Sequence, residues 1–116
     1  MVAGKRQEGT RRAQKFAEVI EVLSKDHGVT IGRGKGFGRG ALKAKGRIFA
    51  MISSEDQFVV KLPKDRVEAL VASAAGKHFE PRPSKLMKEW LVVTSLGSDW
   101  VKLAIEARDF VMHHSP

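Results

Sequence analysis

The chain has no cysteine. Disulfide bonds, thiolate metal sites and thiol catalysis are therefore excluded, and the fold has to stand on its core alone. No apolar run approaches the roughly 18–20 residues that a membrane-spanning helix needs. Residues 1–10 are polar and hold no hydrophobic segment of the signal-peptide kind. The expected location is cytoplasmic, where reducing conditions suit a cysteine-free chain.

Chemical motifs are also lacking. The four histidines, His27, His78, His113 and His114, form no His-x-x-x-His or His-Glu-x-x-His pattern of a metal-binding helix. No Gly-x-Ser-x-Gly elbow is present, and no pair of carboxylates stands out as an acid and base. Walker A finds no match. A dinucleotide fingerprint is met in letters only, by Gly36, Gly38 and Ala41. A hairpin follows where that motif requires a helix N-terminus to face the pyrophosphate. No catalytic residue, metal ligand or cofactor site is expected, and the chain reads as a non-enzyme.

What the chain does have is positive charge, unevenly spread. Its 116 residues carry a net +8, and 42% of them are hydrophobic, enough for one domain with one core. The first fifty residues hold twelve Lys and Arg against four acids, and the rest hold nine of each sign. A field this lopsided favours anionic partners such as nucleic acid or an acidic protein surface, although basic charge also serves solubility alone.

The cations crowd most closely around the glycine-rich run of residues 32–40, Gly-Arg-Gly-Lys-Gly-Phe-Gly-Arg-Gly. Arg33, Lys35, Arg39, Lys43, Lys45 and Arg47 lie within sixteen residues that contain no acid. Five glycines on alternate positions cannot hold a helix, so the run reads as a loop. Successive amides there can form an anion-binding nest, with the cations contacting phosphates. Phe37 either stacks on a base or anchors the loop to the core. The strands carry no row of aromatics, which argues against a base-stacking RNA platform.

The expected order is α-β-β-β-α-β-β-α. Residues 1–9 read as a fraying N-terminus, 10–112 as a single domain and 113–116 as a tail. Thr10 caps a first helix running to about Lys25, with Ala13, Phe16, Val19, Ile20, Val22 and Leu23 on its apolar stripe. Gly28 serves as its left-handed stop, and Val29-Thr30-Ile31 is ambiguous. Residues 40–44 and 47–52 form a hairpin around Lys45-Gly46. Regular pairing sets Leu42, Ala44, Phe49 and Met51 on one face. Arg39, Ala41, Lys43, Ile48, Ala50 and Ile52 then share the other. A turn over residues 53–56 leads to a third strand, 57–61. Pro63 opens a second helix bearing Val67, Leu70, Val71 and Ala74, which Gly76 stops. Pro81 and Pro83 mark an irregular or edge segment. Short strands follow at 85–87 and 89–93. Ser98 or Asp99 caps a last helix with Trp100, Leu103, Ala104, Ala107 and Val111 on its stripe and Phe110 beside it.

The fold expected from this pattern is a two-layer α+β domain, an antiparallel sheet of about five strands with helices on one face. The other sheet face would show Ile48, Ile52, Trp90 or Leu91 and Val59, a surface suited to a protein partner or a second copy of the chain.

The stretch Phe37-Gly38-Arg39-Gly40-Ala41-Leu42, then Gly46-Arg47-Ile48-Phe49-Ala50-Met51, then Phe58-Val59-Val60-Lys61-Leu62 resembles the N-terminal domain of TfoX/Sxy proteins. Those domains show Phe-Gly-Gly, a hairpin, Gly-x-x-Phe-Ala, then a strand ending in Lys. Phe79, Met87-Lys88-Glu89-Trp90 and the segment from Trp100 to Phe110 look like the same group and the related MmcQ/YjbR proteins. The resemblance spans about residues 36–111. It implies a two-layer fold shared with type III secretion chaperones and a regulatory or DNA-binding role, with no catalytic residue to carry over. Arg39 stands where the family has its second glycine. The expected function is thus a non-enzymatic module that binds DNA or another polyanion weakly through Arg33, Lys35, Phe37, Arg39, Lys43, Lys45 and Arg47. The alternative is a protein-partner or homodimer module using Ile48, Ile52 and Trp90.

Overall fold

The computed structural model describes residues 3–26, 28–31, 41–53, 57–95 and 97–113, with backbone alone for 3–10 and 13. Its elements in chain order are α1 (Ala3–Leu23), β1 (Val29–Ile31), β2 (Leu42–Ala44), β3 (Arg47–Ile52), β4 (Phe58–Lys61), α2 (Lys64–Ala72), β5 (Gly76–Arg82), β6 (Lys85–Val93) and α3 (Trp100–His113). The six strands form one antiparallel sheet in the order β1-β2-β3-β4-β6-β5. The protein is an α+β fold with its helices packed on the sheet. The added strand is β1, whose three residues pair with β2 from Val29 opposite Ala44 to Ile31 opposite Leu42. Too short to show a period, it is held by this ladder and by Val29, buried under the helices.

Helix α1 starts well before Thr10, at Ala3. No proline interrupts residues 3–9, and Lys5, Arg6, Gln7 and Glu8 are all good helix formers, so the backbone has no reason to break at the threonine. Phe16, Val19 and Leu23 of α1 are buried, whereas Val22 is 41% exposed and lies off the stripe. Gly28 is not left-handed. Its amide instead donates to Asp26 Oδ1 at 2.9 Å. Asp26 in turn receives a hydrogen bond from Arg108 at 2.6 Å, which ties the end of α1 to α3.

The turn between β2 and β3 is the two-residue turn foreseen. Lys45 has φ 54° and Gly46 φ 77°, both positive as a type I′ hairpin demands. Beyond it the regular register fails. Ala44 pairs with Arg47 and Lys43 with Ile48, but Leu42 pairs with Ala50 instead of Phe49. The extra residue on β3 is a β-bulge, and every side chain past it changes face. Phe49 and Ala50 therefore both join the helix-side core, with Ile52 packed against it, and Met51 moves to the opposite face.

Pro63 is the N-cap of α2. The helix ends at Ala72, two residues short of Ala74, which adopts φ 67° and makes the turn into β5. Gly76 is thus no helix stop but the first residue of the edge strand β5, which includes Pro81 where no neighbour needs its N–H. Residues 85–93 are one strand, β6, inserted between β4 and β5. Since a left-handed backbone costs a non-glycine residue about 1 kcal/mol, Ala74→Gly raises the unfolding free energy by up to about that amount. Urea denaturation checks this: the midpoint rises with an unchanged slope.

The α3 stripe is buried as its spacing requires, at Trp100, Leu103, Ala104, Ala107 and Val111. Asp99 is the cap, its Oδ1 accepting from the Lys102 amide at 3.0 Å. The buried side chains of all three helices join one cluster with Leu42, Ala44, Phe49, Phe58, Val60, Leu62, Leu91 and Val93 of the sheet side. A second cluster, Ala41, Met51, Val59 and Val92, occupies the other face of the sheet, with Ile48, Phe79 and Trp90 half-buried against it.

Candidate nucleic-acid interface

Alternation along the strands decides which cations reach the helix-free face. Lys43 lies between Leu42 and Ala44, both buried on the helix side, so it projects to the other face. There it is half-buried in a row with Thr30 of β1 and Ile48 of β3. Lys61 projects to the same face as Val59 and pairs with Trp90 of β6. Its ammonium sits 5.2 Å from the centre of the Trp90 ring and 3.7 Å from Glu89 Oε1. Lys77, exposed on β5, pairs with Val92 and completes the row that runs through Val59 to Met51.

Lys43, Lys45 and Arg47 do not share one face. Lys45 reaches α3, where its Nζ donates to the Met112 carbonyl at 3.0 Å. A lysine suits this place, since the last carbonyls of a helix lack partners and carry partial negative charge. Arg47 is exposed at the start of β3, opposite Ala44 and hence on the helix side. Of the three described hairpin cations, only Lys43 faces away from the helices. Arg33, Lys35, Phe37 and Arg39 lie outside the described residues. Among the partner-surface residues, Ile48 and Trp90 border the helix-free face, but Ile52 does not: the bulge at Phe49 turns it to the helix core.

Two groups went unread in the sequence. The first is Phe79 on the helix-free face, where it joins Trp90 on the adjacent strand. Phe79 was missed because β5 contains Pro81 and two register shifts, which erase its period-two pattern. The second is a groove of about 620 Å³ between the start of β6 and the junction of β4 with α2. Four lysines line it, Lys61, Lys64, Lys85 and Lys88, against one acid, Glu89, and Trp90 and the half-exposed Leu86 supply its apolar wall. The lysines come from three segments of a half-chain with no net charge, so no sequence window displays them together. Lys85 and Lys88 flanking Leu86-Met87, close to Trp90, were the available signal.

A hollow of about 590 Å³ beside the start of α2 and the end of α3 is of a different kind. Its Arg66 and Glu106 are joined by two hydrogen bonds of 3.0 Å each. The hydrogen bond to Glu106 holds the Arg66 guanidinium above its usual pKa, with the Glu106 charge adding and burial opposing. Charge there is matched within the fold and leaves little for an anion.

Among the described residues, no cluster of three or more His, Asp or Glu could hold a metal ion, and no helix is long and apolar enough to cross a membrane. No family model matches the chain, nor does any curated protein or solved structure.

Proposed function

We propose that the protein is a non-enzymatic nucleic-acid-binding module whose main contact region is the basic stretch of residues 32–47. The reading rests above all on charge: six cations and no acid within those sixteen residues, in a chain whose net +8 resides in its first fifty. The position of Lys43 on the helix-free face, in line with Thr30 and Ile48, supports it. Phosphates attract such a stretch without sequence preference, and binding of this kind is weak and salt-dependent. The likeness to TfoX/Sxy N-terminal domains belongs to the same proposal and agrees with a cytoplasmic regulatory role.

Arg39→Gln, Lys43→Gln and Arg47→Gln combined lower DNA affinity and flatten its dependence on salt. Each lost phosphate contact removes about 0.9 from the slope of log K against log salt on duplex DNA. Fluorescence anisotropy of a labelled duplex at several salt concentrations reads this directly. Equal binding by parent and variant contradicts the proposal. Lys45 is left out of the combination because its bond to Met112 O would confound affinity with stability.

A second reading has one specific observation behind it: Ile48, Phe79 and Trp90 stand half-buried around an apolar cluster on a face the helices leave free. A homodimer through this face predicts a sedimentation mass that rises with protein concentration. A constant monomer mass contradicts it.

A further inference from the structure

The geometry points to the groove between the start of β6 and the β4–α2 junction as a subsite for single-stranded nucleic acid, with Lys64, Lys85 and Lys88 taking phosphates and Trp90 offering a wall to a base. This rests on the nucleic-acid reading above and gives it a second contact, away from the hairpin.

Four lysines and one glutamate line the groove, and the glutamate is 3.7 Å from Lys61. Among the described residues, Lys64, Lys85 and Lys88 have no ion-pair partner. Like charges gathered around a concavity raise the local potential, and a polyanion relieves that repulsion as it binds. About 620 Å³ lies within the range of small-ligand sites and leaves room for a nucleotide-sized group. A duplex offers phosphates but keeps its base faces stacked, so it has no use for an indole and a leucine beside the lysines. An unpaired strand presents both a charged backbone and free base faces, and sites for it combine cations with aromatic side chains. Trp90 is half-buried and Leu86 50% exposed, so apolar surface remains for a base. An acidic peptide would meet the charge but not the flat apolar wall.

The test titrates a fluorescein-labelled twelve-residue oligothymidylate, its duplex with oligoadenylate and a poly-glutamate peptide. Each goes into the full chain, into Lys85→Gln/Lys88→Gln, into Trp90→Leu and into Lys43→Gln/Arg47→Gln. The two groove lysines are exposed, so their replacement leaves the fold intact. Their loss lowers the salt slope for the single strand by about 1.4, at about 0.7 per contact on single strands. Trp90→Leu weakens the single strand about tenfold and leaves the duplex unchanged. If the hairpin variant loses affinity while both groove variants bind as the parent does, the subsite is refuted and the nucleic-acid reading survives. If the parent binds neither oligonucleotide, both are refuted. Poly-glutamate binding that depends on Lys85 and Lys88, without oligothymidylate binding, reassigns the groove to acidic peptides and overturns the inference.

Discussion

Phe58→Ala is expected to remove about 4 kcal/mol of folding stability, within the range for truncating a buried phenylalanine. Phe58 is 1% exposed and lies in the middle of the sheet on β4. Its ring stacks on Trp100 of α3 with centroids 4.3 Å apart and planes 14° from parallel. Phe16 of α1 meets it at 5.8 Å, tilted by 59°. One side chain therefore joins two helices to the sheet. Its removal loses transfer free energy, leaves a cavity between elements that cannot all collapse into it, and breaks two aromatic contacts worth about 0.5–1.5 kcal/mol each. A chain of this length has only about 6–17 kcal/mol of stability in total, so the variant loses between about a quarter and two thirds of it. Urea denaturation measures the loss. A decrease below about 1 kcal/mol would show that the three-ring cluster does not hold the layers together.

Gly76→Ala is expected to cost about 3 kcal/mol for a different reason. Gly76 has no positive φ, so the cost is steric rather than conformational. A Cβ there would collide with the backbone carbonyl of Val92 and lie 2.8 Å from Leu91 Cδ1. Both obstacles belong to β6, which is fixed between β4 and β5 and cannot retreat without opening a ladder. Gly28→Ala is the matched control. Its Cβ would meet Asp26 Oδ1 and Met112 Cε at 3.5 Å, ordinary contact distances, so its stability stays within about 0.5 kcal/mol of the parent. Similar losses in the two variants would mean that the approach of β5 to β6 at Gly76 is not tight.

Where one pattern governs a segment, the sequence was readable. The 3.6-residue stripe from Trp100 to Val111 predicts the buried face of α3, and Lys45-Gly46 predicts the hairpin turn. Where two patterns compete, it was not. One extra residue at Phe49 exchanges the faces of Met51 and Ile52, and nothing in an apolar run such as Arg47-Ile48-Phe49-Ala50-Met51-Ile52 marks it. The strand β1 is recognisable only through its partner, and β5 is hidden by Pro81 and by shifts against β6. The candidate site divides along the same line. Charge clustered along the chain, from Arg33 to Arg47, is visible in the sequence. Charge clustered only in space, from Lys61 to Lys88, emerges when β6 pairs with β4. The same pairing sets Trp90 beside Lys61 and supplies an aromatic surface that no row of aromatics along the strands announces.

The central claim is that this chain binds nucleic acid through its cations. The measurement that tests it most directly is the affinity of the unmodified protein for a labelled oligonucleotide at about 50 mM and about 200 mM salt. With about four phosphates neutralised, affinity on duplex DNA falls by roughly two orders of magnitude between the two conditions. Absence of binding at the lower salt, or binding that does not change between the two, would contradict the account.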